Sequence, residues 1–218
     1  QFTHFVSRKC MNIDGLSDRT LEVLISHGFI NNYRDIYHLT DHKDKLYMLD
    51  GMGKKSVNNL LKNIENSRNV KLENFITALG IPNIGLSAAK TISARFGGNY
   101  REFSGAIGNM YNFTELDDFG AIMNQSLYEW IGHNIDVMRD IAREMHFIVE
   151  EEKSVEDNYF TGKNICVTGK LNNFTRDSIN EKIESVGAKA VSSVSKNTDF
   201  LITNEASGSA KFKKAMEL

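Results

Sequence analysis

Apolar residues recur at helical intervals through the first 149 positions, and four short turn-like segments interrupt them. After each segment, apolar residues are spaced three or four positions apart, which predicts a helix with one buried face. Each of the four units therefore reads as a short helix, a tight turn and a second helix. The apolar positions of the second helices are Leu21 and Leu24; Val57, Leu60, Leu61 and Ile64; Ala88, Ala89 and Ile92; and Met123 and Leu127.

The four interrupting segments are versions of one five-residue turn, and they begin 36, 32 and 35 residues apart. We number the positions of each turn one to five. Apolar residues at positions one and four are expected to pin the turn between two helices, while glycine permits positive φ and close approach of another backbone. Turns 1 to 4 are Ile13-Asp-Gly-Leu-Ser17, Leu49-Asp-Gly-Met-Gly53, Ile81-Pro-Asn-Ile-Gly85 and Leu116-Asp-Asp-Phe-Gly120.

The helical spacing of apolar residues ends before residue 159, and short strand-like segments appear after it. A β-branched stretch at 164–168 ends in Gly169, and a helix capped by Thr175 stops at Gly187. Strands follow near 188–191 and 200–203, and a last helix begins near Ser209. This alternation predicts a small parallel sheet flanked by helices. We therefore expect a mainly α domain over 1–149, an acidic linker over 150–159 and a small α/β domain over 160–218.

The formal net charge of −2 over 218 residues conceals a segregation of charge along the chain. Basic residues number 11 against 8 acidic ones in 1–71, 5 against 9 in 72–149, 1 against 5 in 150–159 and 9 against 6 in 160–218. A polyanion should therefore meet the first segment most readily. No apolar run approaches the roughly 20 residues that cross a bilayer, and no signal-peptide pattern opens the chain, so we expect a cytoplasmic protein with no membrane contact.

Metal and nucleophile signatures are lacking in the sequence. Cys10 and Cys166 lie far apart without a CxxC pattern, so both are expected to be small apolar core residues. The histidines offer neither metal spacing nor a triad, so no catalytic residue and no metal site is predicted. They are His4, His27, His38, His42, His133 and His146.

The start of the helix after each turn is a candidate anion site. Its free N–H groups and the positive end of the helix dipole can hold a phosphate without reading bases. One such turn could equally be an ordinary αα-hairpin, but four copies favour phosphate binding. Turn 2 matches the pattern best, because Gly51, Gly53, Lys54 and Lys55 are all in place. A single lysine on a helix, such as Lys90, is often only solvated. The DNA-binding candidates are Gly15, Arg19, Gly51, Gly53, Lys54, Lys55, Gly85 and Lys90.

Turn 4 departs from this chemistry. Asp118 occupies the glycine position, and with its neighbour Asp117 it would repel a phosphate. We expect turn 4 to pack against turn 3 as a structural partner. In turn 3, Asn83 replaces the earlier glycine, and asparagine tolerates left-handed backbone geometry.

The turns resemble the helix-hairpin-helix motif of DNA repair and replication proteins. The C-terminal segment resembles a BRCT domain through Phe160-Thr-Gly-Lys-Asn-Ile-Cys-Val-Thr-Gly169, Gly187-Ala-Lys189, Ser195-Lys-Asn-Thr-Asp-Phe-Leu-Ile202 and Gly208-Ser-Ala-Lys211. The final strand and helix of that family are not found before Leu218, so we expect a truncated domain. Phosphopeptide-binding members hold phosphate with residues that match Thr168, Gly169 and Lys211. The same Thr-Gly pair could be a strand-ending turn, and a weak contact with DNA or a neighbouring domain is a further alternative.

Both features together resemble the C-terminal half of the bacterial-type NAD-dependent DNA ligases, and the segments 4–8 and 11–16 resemble the stretch that follows the zinc finger in that family. The resemblance implies nicked double-stranded DNA as a partner, together with adenylation, OB and zinc-finger domains of the same protein. It implies NAD, magnesium and zinc for the full-length enzyme, none of them bound by these residues, and a bacterial, nucleoid-associated location. A chain that begins with Gln1 fits a fragment or a processed protein.

The adenylation motif of that family, Lys-x-Asp-Gly, does not occur. The pairs Asp14-Gly15 and Asp50-Gly51 do occur, but the residues two positions before the aspartates are Asn12 and Met48. Neither is nucleophilic. We therefore expect the chain to be inactive alone and to hold duplex DNA for nick sealing in replication and repair. The alternatives are a stand-alone helix-hairpin-helix and BRCT scaffold of a repair complex, and a protein-interaction module whose turns are purely structural.

Overall fold

The computed structural model describes residues 1–149, 158–204 and 209–218. The chain forms two compact units, Gln1–Glu150 and Glu151–Leu218. Most of the predicted acidic linker, residues 150–157, and Gly208 of the BRCT-like pattern lie outside the described residues. Among the described helices, none is long and apolar enough to cross a membrane.

Helices dominate the first unit. The second helices predicted after the four turns are confirmed, and they begin at Asp18, Lys54, Leu86 and Ala121. The α-helices are α1 Phe2–Val6, α2 Asp18–Ser26, α3 Tyr33–Tyr37, α4 Lys43–Leu46, α5 Lys54–Ser67, α6 Leu72–Ala78, α7 Leu86–Arg95, α8 Tyr100–Gly108 and α9 Ala121–Arg143, with 3-10 turns at Leu39–His42 and Phe113–Glu115. Two short strands, β1 Asn69–Val70 and β2 His146–Phe147, pair in parallel.

One apolar core fills the first unit, and it contains most of the residues that the helical spacing identified, while Leu61, Ala88 and Met123 are half-buried against it. Leu24, Val57, Ala89, Ile92 and Leu127 are each fully shielded from solvent. Burial of the leucine, isoleucine and valine side chains among them contributes about 1.5–3 kcal/mol each. Packing of these faces, rather than intrinsic helix propensity, therefore holds the short helices in place.

Helix α9 is kinked. Asn134 leaves the helical region with φ −130° and ψ 15°, and its side-chain amide donates to the Trp130 carbonyl oxygen at 2.8 Å. A side chain that bonds the carbonyl four residues earlier competes with the backbone ladder, which accounts for the bend.

A charged cluster ties α3, the end of α5 and the end of α9 together. The Glu144 carboxylate accepts hydrogen bonds from Arg34 Nε at 2.9 Å, His38 Nε2 at 2.9 Å and Arg68 Nη1 at 2.7 Å. Burial of the Glu144 carboxyl would raise its pKa, but the hydrogen bonds from His38, Arg68 and Arg34 outweigh burial and lower the pKa to about 2. The Glu144 side chain is 11% exposed.

The second unit is the predicted small parallel sheet with helices. Its elements are β3 Asn164–Val167, α10 Arg176–Ser185, β4 Lys189–Val191, β5 Phe200–Ile202 and α11 Ala210–Glu217. The strand order is β4-β3-β5, and both pairings are parallel. Thr175 caps α10 through a capping box with Ser178, and Gly187 follows the helix with φ 75°, as the sequence predicted.

Candidate nucleic-acid interface

The four turns share one backbone conformation. The residue at position three has positive φ, and the amide of position four donates to the carbonyl of position one, as in a type II turn. Position five is extended and caps the helix that follows. The φ values at position three are 98° at Gly15, 78° at Gly51, 64° at Asn83 and 59° at Asp118, and the four N···O distances are 3.4, 3.1, 3.1 and 3.2 Å.

Burial alternates within each turn as the sequence predicted. The side chains at positions one and four are buried or half-buried, whereas those at positions two, three and five are exposed. In turn 1, for example, Ile13 and Leu16 are buried, while Asp14, Gly15 and Ser17 face solvent. The apolar pair anchors the turn and leaves its bend on the surface.

Gly51 and Gly53 differ in whether their backbone conformation requires glycine. Gly51 has φ 78°, so an L side chain there would be strained. Gly53 has φ −68° and ψ 157°, a conformation open to any residue, and a Cβ at this position would meet nothing within 4 Å. The fold therefore does not require glycine at position 53. Gly85 and Gly120 occupy the same position with the same open space.

Backbone amides are left open where the helix follows turn 2. Val57 N–H donates to the Gly53 carbonyl at 3.0 Å and is the first amide of α5 with a helical bond. Within the part of the chain that the structure describes, the amides of Gly53, Lys54, Lys55 and Ser56 have no protein acceptor. The exposed bend and these amides together form a set of hydrogen-bond donors on an exposed part of the chain.

Turn 2 also gathers positive charge around an aromatic ring. Lys43 Nζ and Lys54 Nζ each lie 5.8 Å from the centre of the Tyr47 ring, and Tyr47 Oη donates to Asn58 Oδ1 at 2.7 Å. A cation over an aromatic face is favoured by roughly 0.5–1 kcal/mol at exposed sites. Tyr47 therefore brings both ammonium groups to one aromatic ring, a contact that the sequence pattern did not indicate.

The turns are arranged as two pairs. A Cβ on Gly15 would lie 3.4 Å from Leu60 Cδ1 on α5, and Asn63 Nδ2 donates to the Asp14 carbonyl at 2.9 Å. Asn83 Nδ2 donates to Ser126 Oγ on α9 at 2.8 Å. Turn 1 thus contacts the helix of turn 2, and turn 3 contacts the helix of turn 4. Direct packing of turn 4 against turn 3 stays a prediction.

Turn 4 repeats the backbone geometry without the positive charge. Its helix begins with Ala121 and Ile122, where the helix of turn 2 begins with Lys54 and Lys55. Ile122 is 72% exposed. An anion at this turn would meet open amides but no basic side chain at those positions.

The remaining hairpin candidates lie on the helices after their turns. Arg19 is the second residue of α2 and Lys90 is the fifth residue of α7, and both are exposed. Ser17, at position five of turn 1, accepts from the Thr20 amide at 3.2 Å. The Thr20 amide is thus already bonded to a side chain in turn 1, whereas no side chain caps the helix after turn 2.

The second unit brings Thr168 to the start of α11, the helix that carries Lys211. Thr168 is 6% exposed, its amide donates to the Ile202 carbonyl at 2.9 Å, and its hydroxyl lies 3.3 Å from Ser209 Oγ. Gly169 follows with φ 79°. Phosphate binding by Thr168, Gly169 and Lys211 stays a prediction, and the Thr168 hydroxyl already has a protein partner.

The described residues do not fit a zinc or other metal site. Outside the segments 150–157 and 205–208, no cluster of three or more histidine, cysteine or acidic side chains is arranged around a common point. Cys10 is buried, with its Sγ 3.6 Å from His4 Nε2, and burial raises the pKa of its thiol. Cys166 is buried within β3.

Comparison with known proteins bears on both units. Residues 155–218 match the family described as the BRCA1 C Terminus (BRCT) domain. A DNA ligase of Clostridium botulinum (strain 657 / Type Ba4) is 39% identical over 222 aligned positions, which cover 99% of this chain and 32% of that ligase. The chain is homologous to part of the DNA ligases. A DNA ligase of Halalkalibacterium halodurans is 40% identical over 99% of the chain and 32% of its own length.

A third DNA ligase, from Lachnoclostridium phytofermentans, is 36% identical over 100% of the chain and 33% of its own length. The chain therefore spans about a third of the length of these relatives. The resemblance to DNA ligases and the fold class, tandem helix-hairpin-helix units followed by a BRCT domain, are both confirmed.

Proposed function

We propose that this chain is the duplex-binding portion of an NAD-dependent DNA ligase that seals nicks in replication and repair. Its residues would hold the DNA without sequence preference, while the adenylation chemistry resides in other domains of the same enzyme. NAD, magnesium and zinc serve those domains in this proposal. The site of action is the bacterial cytoplasm, in association with the nucleoid.

The observation that carries the proposal is the open space over Gly53. The fold tolerates any residue there, and a serine would cap α5 as Ser17 caps α2, yet the chain has glycine. A residue without a side chain at an exposed helix start permits another backbone to approach the amides closely. A sugar-phosphate chain is a partner that gains from such an approach.

Turns 1 to 3 bind phosphates in this proposal, with turn 2 contributing most. The amides at turn 2 and the charges of Lys54 and Lys55 act on the same phosphates, and Arg19 and Lys90 add charge near turns 1 and 3. Leu60 is the seventh residue of α5, so turn 1 packs about 9 Å along the helix from turn 2. Both turns are thus attached to one helix, and in this proposal they contact the same duplex.

Salt dependence tests the proposal. The affinity of the chain for a 30-base-pair nicked duplex would be measured by fluorescence anisotropy at several chloride concentrations. Phosphate binding predicts a linear fall of log K with log salt, with a slope of about −0.9 for each phosphate neutralised. A flat curve would remove the DNA proposal and favour the scaffold alternative, in which the turns are structural.

A further inference from the structure

Three arginines from distant parts of the first unit meet at one cleft. Arg101 lies in the first turn of α8, and Arg139 and Arg143 lie in the last turns of α9. They line a cleft of about 680 Å³ together with Asn99, Ser104 and Tyr100. Residues 72–149 contain 5 basic residues against 9 acidic ones, so this segment has few positive charges and places three of them here.

Two of the three guanidinium groups are free to take a ligand. Across the described ranges, neither Arg101 nor Arg139 has a carboxylate within ion-pair distance. Arg143 Nη1 contacts Asp140 Oδ1 at 2.8 Å, so its charge is partly neutralised. Burial raises the pKa of Tyr100, and the charges of Arg139 and Arg143 act in the opposite direction, which places both charges near the phenol.

Stacked aromatic rings form part of the lining of the cleft. The rings of Tyr100 and Phe147 stack with centres 4.7 Å apart and an interplanar angle of 5°, and Phe75 meets Phe147 edge-on at 5.1 Å. Asn99 Oδ1 accepts the Arg101 and Glu102 amides, so the start of α8 is already capped. Any anion in the cleft is therefore held by side chains rather than by open helix amides.

None of the described residues that line the cleft belongs to one of the four turns. Arg139 is the nineteenth residue of α9, so it lies about 27 Å along the helix from turn 4. A ligand in the cleft thus does not share the amides of the turns. Guanidinium groups present paired N–H donors that match the oxygens of a phosphate.

We propose that the cleft formed by Arg101, Arg139 and Arg143 is a second anion site that binds a phosphate group. The phosphate comes from a polynucleotide backbone or from a free phosphate or mononucleotide. The polynucleotide source rests on the DNA-binding function proposed above, whereas the free-phosphate source does not.

Inorganic phosphate is the first probe. The full chain, labelled with ¹⁵N, would be titrated with phosphate at constant ionic strength, with sodium chloride as the reference, while the arginine Nε–Hε signals are followed by NMR. Saturable shifts of Arg101 and Arg139 in the millimolar range are expected. The double variant Arg101→Gln/Arg139→Gln should weaken phosphate binding at least about tenfold, since each arginine contributes charge-assisted hydrogen bonds. The matched control Arg95→Gln, an arginine outside the cleft, should leave it unchanged.

A gain of affinity supplies an independent test. Asp140→Asn removes the partner of Arg143 and should tighten phosphate binding about twofold or more. A merely structural arginine cluster would not gain affinity. Phosphate shifts no larger than those with chloride, or no change in either variant, would overturn the site.

The salt dependence of duplex binding separates the two sources. If the polynucleotide backbone enters the cleft, the double variant should lower the magnitude of the slope by about 2, one phosphate for each lost charge. An unchanged slope together with intact phosphate shifts assigns the site to a free phosphate or mononucleotide. Failure of the proposed phosphate binding at the turns can be distinguished from failure of the arginine site. The double variant Lys54→Gln/Lys55→Gln should weaken duplex binding and leave the phosphate-induced arginine shifts in place.

Discussion

Replacing Gly53 with aspartate separates stability from DNA binding. The backbone at Gly53 accepts any residue, and nothing lies within 4 Å of its Cβ direction. Aspartate is a favoured N-cap residue and would accept the Ser56 amide, as Ser17 accepts the Thr20 amide in turn 1. The free energy of unfolding should therefore rise by about 0.5 kcal/mol, because the new cap and the helix dipole both favour a carboxylate.

Binding should move in the opposite direction. The new carboxylate takes up an amide that would otherwise serve a phosphate, and a charge-assisted hydrogen bond is worth about 1.5–3 kcal/mol. Repulsion between the carboxylate and the phosphate adds to this loss. We expect a total of about 2–3 kcal/mol, which is roughly a 30- to 150-fold weaker affinity for duplex DNA.

Gly120→Asp is the matched control. Gly120 has the same extended conformation, the same role as N-cap and the same open space, but Ala121 and Ile122 follow it in place of two lysines. The control should bind a nicked duplex within about twofold of the parent chain, since turn 4 lacks the charge that attracts a phosphate. Anisotropy in 0.1 M salt measures affinity, and urea denaturation measures stability. A folded Gly53→Asp chain with unchanged affinity would refute the reasoning.

Three further predictions concern the hydrogen-bond cluster, turn 4 and the ring beside turn 2. The low pKa of the Glu144 carboxyl stabilises the fold fully above its ordinary value of 4.5, and this stability is lost as pH falls towards 2. Allowing for solvent screening around the exposed Arg34, the loss is about 2 kcal/mol, measurable by denaturation between pH 6 and 2.5 and much reduced in Glu144→Gln. Asp118→Gly should raise thermal stability by about 0.5–1 kcal/mol, because glycine adopts the φ of 59° without strain, and an unchanged melting temperature would contradict this. Tyr47→Leu should weaken duplex binding several-fold more than Tyr47→Phe, because phenylalanine keeps the aromatic face that orients Lys54, and equal anisotropy curves for the two variants would count against that role.

The turns were predictable because local sequence determines them. Two apolar residues three positions apart, with glycine or asparagine between them, specify which side chains are buried and where φ is positive. Asn83 and even Asp118 adopt the left-handed conformation expected of that position. The parallel sheet of the second unit followed from similarly local strand and helix signals.

Features that depend on distant residues were not visible in the sequence. Glu144 meets Arg68 across 76 residues and Arg34 across 110 residues, and no pattern links them. The strands β1 and β2 have two residues each, too few to show alternation. The arginine cleft likewise depends on how α8 and α9 pack. Such contacts arise from tertiary packing rather than from periodicity.

The sequence also explained the second glycine of turn 2 only in part. It predicted that the glycines permit positive φ and close approach of another backbone without assigning either role to one glycine, and only Gly51 has positive φ. The structure shows no requirement for glycine at position 53 within the chain, and the proposed approach of a DNA backbone to turn 2 would supply one. This distinction required the φ values and the free space around each residue.

The amide signals of turn 2 test the central claim most directly. In ¹H–¹⁵N spectra of the full chain, addition of a nicked duplex should shift the amides of Gly53, Lys54 and Lys55 most strongly, with smaller shifts at the corresponding amides of turns 1 and 3 and almost none at Gly120. Hydrogen exchange of the same three amides should slow on binding. If duplex DNA binds while these amides keep their free positions and exchange rates, the backbone of turn 2 does not hold the phosphates.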